Sequence, residues 1–275
     1  MADQQIEALL RALIPIRSYL TDGTLVICGG WVPIIFQRYI ISEEGQPALH
    51  TADVDVVVAK SLAYEKRPSL RRLLLVDGFI EDIVGDANPP ASCFRKEVGE
   101  VKIELEFLTP LSGARDHETK KIQEDLSAQA LRYSDLLLED PMPVRIVEVI
   151  DEVAEEFEFF VPRPAAFIFQ KGLAVVKRKD RLKKAKDLYY IFDVLAGYPG
   201  FASEIEKGMH KFKQDRSSWF SRFVNNLTEY FLDDGATGPG MIAEQRPAGA
   251  YQTLNDAQLE QYCRRVIAEF IRSVS

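Results

Sequence analysis

Two aspartates stand two residues apart in Thr51-Ala-Asp53-Val-Asp55-Val-Val-Val58, a run that is otherwise apolar. On a strand, residues at i and i+2 share a face. Asp53 and Asp55 would then present their carboxylates side by side, which is unfavourable unless a cation sits between them. Hard oxygen ligands suit Mg²⁺ or Mn²⁺. Upstream, Leu25-Val-Ile-Cys-Gly29-Gly30-Trp31 reads as an apolar strand running into a diglycine turn. Glycines let backbone N–H groups approach an anion, and a helix behind them adds the positive end of its dipole. Carboxylates for a metal beside a cradle for phosphate point to phosphoryl or nucleotidyl transfer.

Positioning those groups needs a sheet. The pattern predicts a helix from Ile6 to Tyr19, strand Leu25–Cys28, helix Trp31–Ile41 with Pro33 in its first turn, and the acidic strand within Ala48–Ala59. A helix at Leu70–Leu75 and strands at Phe79–Val84, Cys93–Val98 and Val101–Leu108 follow, and Val144–Val149 and Phe157–Val161 complete a mixed sheet. In Val101–Leu108 the residues alternate: Ile103, Leu105 and Phe107 take one face, Glu104 and Glu106 the other. The charged run from Ser112 to Ser127 reads as a loop. Beyond Pro162-Arg-Pro164 the pattern turns helical, with apolar stripes at Ala165–Val176, Leu182–Leu195, Trp219–Phe231 and Leu259–Ile271. The Gly- and Pro-rich stretch from Asp233 to Ala250 reads as a loop.

The order Gly29-Gly30, helix, Asp53-x-Asp55 resembles the nucleotidyltransferases of the DNA polymerase beta-like superfamily. The resemblance implies an α+β fold: a mixed sheet with flanking helices as a catalytic domain over residues 1–161, then a helical substrate- or nucleotide-binding domain over 162–275. It also implies a third carboxylate from a later strand. The Thr-Pro that follows favours Glu106, with Glu104 on the same face as its rival. Asp53, Asp55 and Glu106 would hold the metal and do the catalysis, and Gly29, Gly30 and Thr51 would bind the nucleotide. A second stretch, Phe167-Ile-Phe-Gln-Lys171 through Lys186-Asp187, resembles the helical part of AbiEii-type nucleotidyltransferases, which include toxin components of toxin–antitoxin and phage-defence systems. Lys171, Lys186 and Asp187 are the nucleotide-binding positions it implies. The spacing of Lys183 and Asp187 also suits an exposed ion pair along one helix.

In its 275 residues the chain holds 47% hydrophobic and 28% charged residues, with a net charge of −8. That is a globular composition with room for two domains. No apolar run is long enough for a membrane helix, and the polar N-terminus does not read as a secretory signal. Cys28, Cys93 and Cys263, with His50, His117 and His210, show neither zinc spacing nor a disulfide framework. The expected address is the cytoplasm. The acidic balance argues against a general nucleic-acid coat. From Lys171 to Lys186, however, eight basic residues face one acid, Asp180. This leans the acceptor towards RNA or tRNA, with a nucleoside triphosphate as donor. Three other readings stay open: a silent nucleotide- or RNA-binding module, to which Trp31 and a glutamate as third acid would suit; an antitoxin-like protein partnership; and transfer to a small hydroxylated molecule.

Overall fold

The computed structural model describes residues 2–41, 45–49, 51–58, 62, 68–84, 89–111, 118–150 and 152–275. They form two compact units, Met1–Val32 with Thr51–Arg163, and Pro33–His50 with Pro164–Ser275. His50 and His117, and the 112–117 part of the expected loop, lie outside the described residues.

The first unit is a mixed sheet with helices against it. Its elements are α1 (Ala2–Leu13), α2 (Arg17–Leu20), β1 (Leu25–Cys28), the start of α3 (Trp31–Ile35), β2 (Asp53–Val58), α4 (Leu70–Val76), β3 (Ile80–Val84), β4 (Ala91–Val98), β5 (Val101–Pro110), β6 (Thr119–Gln123), β7 (Leu126–Leu131), β8 (Met142–Ile150) and β9 (Val153–Val161). The strands run in the order β3-β4-β5-β2-β1-β9-β8, and β7 joins β5. Alternation explains the layering. Val54 and Val56 of β2, Ile103, Leu105 and Phe107 of β5 and Phe94 of β4 are buried. Phe94 and Phe107 meet edge to face at 6.0 Å, and each such fully buried side chain contributes about 1.5–3 kcal/mol. On the opposite face Val26, Cys28, Val57 and Leu108 pack with Leu137, which sits on the 3₁₀ turn Ser134–Leu138. Further along, that face carries the acids.

The expected helix at 31–41 is wound in two ways. It is α-helical to Ile35 and π-helical over Phe36–Ile40, with the Ile41 N–H donating to the Phe36 carbonyl at 2.9 Å. The expected loop at 112–127 is corrected for its described part: β6 and β7 form an antiparallel hairpin. Charged side chains at Lys120, Lys121, Glu124 and Asp125 mask an alternation in which Ile122, Leu126, Ala128 and Ala130 are buried.

The second unit is helical: α5 (Pro164–Ala174), α6 (Arg181–Gly197), α7 (Ala202–Asp215), α8 (Ser217–Phe231), α9 (Gly238–Gln245) and α10 (Asp256–Val274). α5 is buried from Pro164 to Leu173. Its Phe169 stacks on Phe212 at 4.6 Å and meets Phe223 edge-on at 5.2 Å. Asp180 starts α6 by accepting the Leu182 and Lys183 N–H groups, and an Asn255–Gln258 capping box starts α10. α9 corrects the loop expected at 233–250. Proline is tolerated in a first helical turn, and Gly238, Pro239 and Ile242 bury the helix. No described helix is long and apolar enough to cross a membrane.

Candidate active site

Cross-strand register decides what the acids of the first unit can do together. In the antiparallel β1–β2 pair Cys28 lies opposite Asp55. In the parallel β2–β5 pair Asp55 lies opposite Glu106, and Asp53 opposite Glu104. In the antiparallel β4–β5 pair Glu106 lies opposite Cys93, and Glu104 opposite Arg95. Paired residues point to one side of a sheet. Cys28, Asp55, Glu106 and Cys93 therefore make one row across four strands, with Asp53, Glu104 and Arg95 in the next.

The diglycine turn closes on this row. Gly29 has φ +68, and a Cβ there would run into Asp55 Oδ2, with Asp55 Cγ at 2.9 Å. Only glycine meets both demands. The Val32 N–H reaches back to the Gly29 carbonyl at 3.4 Å. Trp31 is buried in the core, and its Nε1 finds no hydrogen-bond partner among the described residues. Thr51 stays local: its hydroxyl donates to the Asp53 carbonyl at 3.5 Å.

The two candidates for third acid have different surroundings. The Arg95 guanidinium holds Glu104 Oε1 at 2.8 Å and Asp82 Oδ2 at 2.6 Å. Glu106, half-buried, shares its row with Asp55 instead.

The helical unit contains Lys171, Lys186 and Asp187. Lys171 Nζ donates to Asp187 Oδ1 at 2.7 Å, and Arg178 Nε donates to Asp187 Oδ2 at 2.7 Å. Lys171 is 7% exposed and Asp187 3%. Burial alone would push the Asp187 carboxyl up, but the two cations hold it below the ordinary carboxylate range. Its partners are thus on α5 and on the link to α6 rather than at Lys183. The Lys171 ammonium also lies over the Phe167 and Tyr190 rings, at 5.6 and 5.4 Å. Lys186 is half-buried, and Lys177, Lys179 and Lys183 are exposed.

A protein family described as "Nucleotidyltransferase" matches residues 18–197, well over half of the chain and all of the row described above. The chain belongs to this nucleotidyltransferase family. A crystal structure of an antigenic nucleotidyltransferase-like protein from Paracoccidioides brasiliensis is similar over 80% of this chain and 91% of its own, at 15% identity and a TM-score of 0.35. No curated protein matches. The mixed sheet with flanking helices and the helical C-terminal region are the α+β nucleotidyltransferase fold.

Within this nucleotidyltransferase, sequence reasoning missed Cys93 and Arg95. The signal was the β4–β5 turn. With Gly99 at φ +59 and Val98 opposite Val101, counting back along both strands sets Cys93 against Glu106. Burial first, then the Glu106 and Glu104 carboxylates, push the Cys93 thiol up to about 12.

Proposed function

We propose that this chain is a metal-dependent enzyme that moves a nucleoside monophosphate from a nucleoside triphosphate to an acceptor hydroxyl. The observation that carries this reading is the Asp55 carboxylate, pressed against Gly29 and level with Glu106 on the next strand. Asp53, Asp55 and Glu106 are hard oxygen donors on one face, a set that fits Mg²⁺ or Mn²⁺. When bound there, the metal supplies positive charge to phosphate oxygens and lowers the pKa of the acceptor hydroxyl. The chain's own groups do the rest. Backbone N–H groups of the Gly29-Gly30 turn bind the phosphates that depart, and Thr51 borders the same face. Glu106 lies directly opposite Asp55 in the β2–β5 register, which favours it as the third acid. No covalent protein nucleophile enters.

In the helical unit, Lys171 and Lys186 contact nucleotide phosphate, and Asp187 is a positioning residue that fixes the Lys171 ammonium by accepting its hydrogen bond. Family membership supports the triphosphate as donor. The exposed lysines at 177, 179 and 183 favour an RNA or tRNA acceptor. The AbiEii-like stretch favours a toxin or defence role in the cytoplasm, with an antitoxin-like partner.

The test uses full-length chain, Mg²⁺ or Mn²⁺, each α-labelled triphosphate in turn, and total tRNA as acceptor. The Asp53→Ala/Asp55→Ala variant runs beside it. Label transferred by wild type alone is expected. Equal transfer by the folded double variant would remove the mechanism, and metal-dependent binding without turnover would identify a silent module.

A further inference from the structure

Between Glu106 on β5 and Asp82 on β3, the row across the sheet carries a thiol for which nucleotidyl transfer has no use. Cys93 lies opposite Glu106 and is 2% exposed. It is a free cysteine, and its sulfur makes no hydrogen bond among the described residues. Its Sγ and one oxygen each from Glu104 and Glu106 all lie within 4.8 Å of one another. Apolar packing at this position would be met by alanine or valine. A thiol set beside two carboxylates gives instead three donor atoms that one cation could share.

The donor types say which cation. Mg²⁺ and Ca²⁺ are hard ions that take oxygen, whereas a thiolate selects borderline or soft ions. Zn²⁺ accepts mixed sulfur and carboxylate sets, at about 2.3 Å to sulfur and about 2.0–2.2 Å to oxygen, and leaves one position for water when three protein ligands bind it. Arg95 occupies one oxygen of Glu104 and leaves the other. Such a partner orients a ligand rather than displacing it.

We propose that Cys93, Glu104 and Glu106 bind a divalent cation of the Zn²⁺ class, beside the Asp53–Asp55 pair and sharing Glu106 with it. Binding forms the metal–sulfur bond and releases the Cys93 proton to solvent. Because Glu106 serves both sets, an ion held by the thiol withdraws it from the aspartates. That consequence for catalysis rests on the proposed transfer activity; the binding itself does not.

Co²⁺ reports on this site directly, since a thiolate ligand gives a near-ultraviolet charge-transfer band. Full-length chain stripped of metal is titrated with Co²⁺, and one equivalent is expected to saturate the band, with Zn²⁺ abolishing it. Cys93→Ser should lose the band, with an affinity loss beyond about 100-fold, more than removal of an outer-shell partner produces. Cys28→Ser, Cys263→Ser and Asp53→Asn should keep it. Glu106→Gln retains every thiol, so a weakened band in that variant supports the site even where Cys93→Ser fails to fold. Folded wild type without a band would overturn the proposal, as would a band that survives Cys93→Ser or is indifferent to Glu106→Gln. A band in protein that transfers no nucleotide would sink the enzymatic reading and leave the cation site standing.

Discussion

Gly29 shows how much of the site hangs on one missing atom. At φ +68, any other residue is strained by about 1–2 kcal/mol, and a Cβ would also push the Asp55 carboxylate out of its row. Gly29→Ala should therefore lower Tm modestly but weaken Mn²⁺ binding by roughly tenfold or more. Mn²⁺ relaxation titration of the folded variant measures this, and wild-type affinity would refute it. Asp193 is the other residue with an outsized effect. Burial pushes its carboxyl up to about 7. Its Oδ2 and the Tyr189 and Tyr251 hydroxyls have no hydrogen-bond partner among the described residues. The folded chain thus keeps this proton while the unfolded chain loses it, so stability falls as pH rises from 3.8 to about 7 and then levels off. Asp193→Asn should remove that fall, leaving the variant more stable by roughly 1–3 kcal/mol at neutral pH. Urea denaturation at about pH 5 and about pH 8 decides it; a wild-type slope retained in the variant would assign the pH dependence elsewhere.

Between elements, the Lys171–Asp187–Arg178 cluster ties α5 to α6 with charge inside a helical core. Removing one member of a buried pair leaves the other uncompensated. Asp187→Ala should cost about 3–5 kcal/mol, whereas Lys171→Met/Asp187→Leu should cost less than the two single changes together. A double-mutant cycle by chemical denaturation reads the coupling, and a cost under about 1 kcal/mol for Asp187→Ala would make the pair a surface-like one. The same cluster marks where sequence reading stops. Lys183 and Asp187 were neighbours by helical spacing, but Asp187 pairs across sixteen residues with Lys171, a contact that only helix packing creates. Strand alternation, by contrast, was open to inspection: Glu104 and Glu106 on one side of β5, Ile103, Leu105 and Phe107 on the other. So was the diglycine turn. Where charge interrupted the apolar period, as in the β6–β7 hairpin, or where Gly and Pro began a helix, as in α9, composition outweighed the weaker periodic signal. α7 escaped notice for a similar reason, since only Ile205, Met209 and Phe212 turn its charged sequence inward.

For the chain as a whole, a cut after the prolines does not separate the two units, because Pro33–His50 belongs with the C-terminal helices. Phe36 is the anchor of that segment. It is buried and meets Phe201 at 5.0 Å, and Phe167 and Tyr198 at 6.5 Å, all edge to face. The Tyr198 hydroxyl donates to the Pro33 carbonyl at 3.1 Å, and Gln46 Oε1 accepts from the Tyr251 N–H at 2.6 Å. A segment inserted between β1 and β2 thus completes the core of a unit encoded far downstream, so the helical unit should be sensitive to a change made near the chain's start. Phe36→Ala should cost about 3–5 kcal/mol, the usual penalty for emptying a buried aromatic site. The location of the loss tests the organisation more sharply than its size. Hydrogen exchange should quicken along α5 and α6, where Phe167 loses a packed neighbour and in turn supports Tyr190, while β4 and β5 keep their protection. Faster exchange confined to the sheet would place residues 33–50 with the first unit after all.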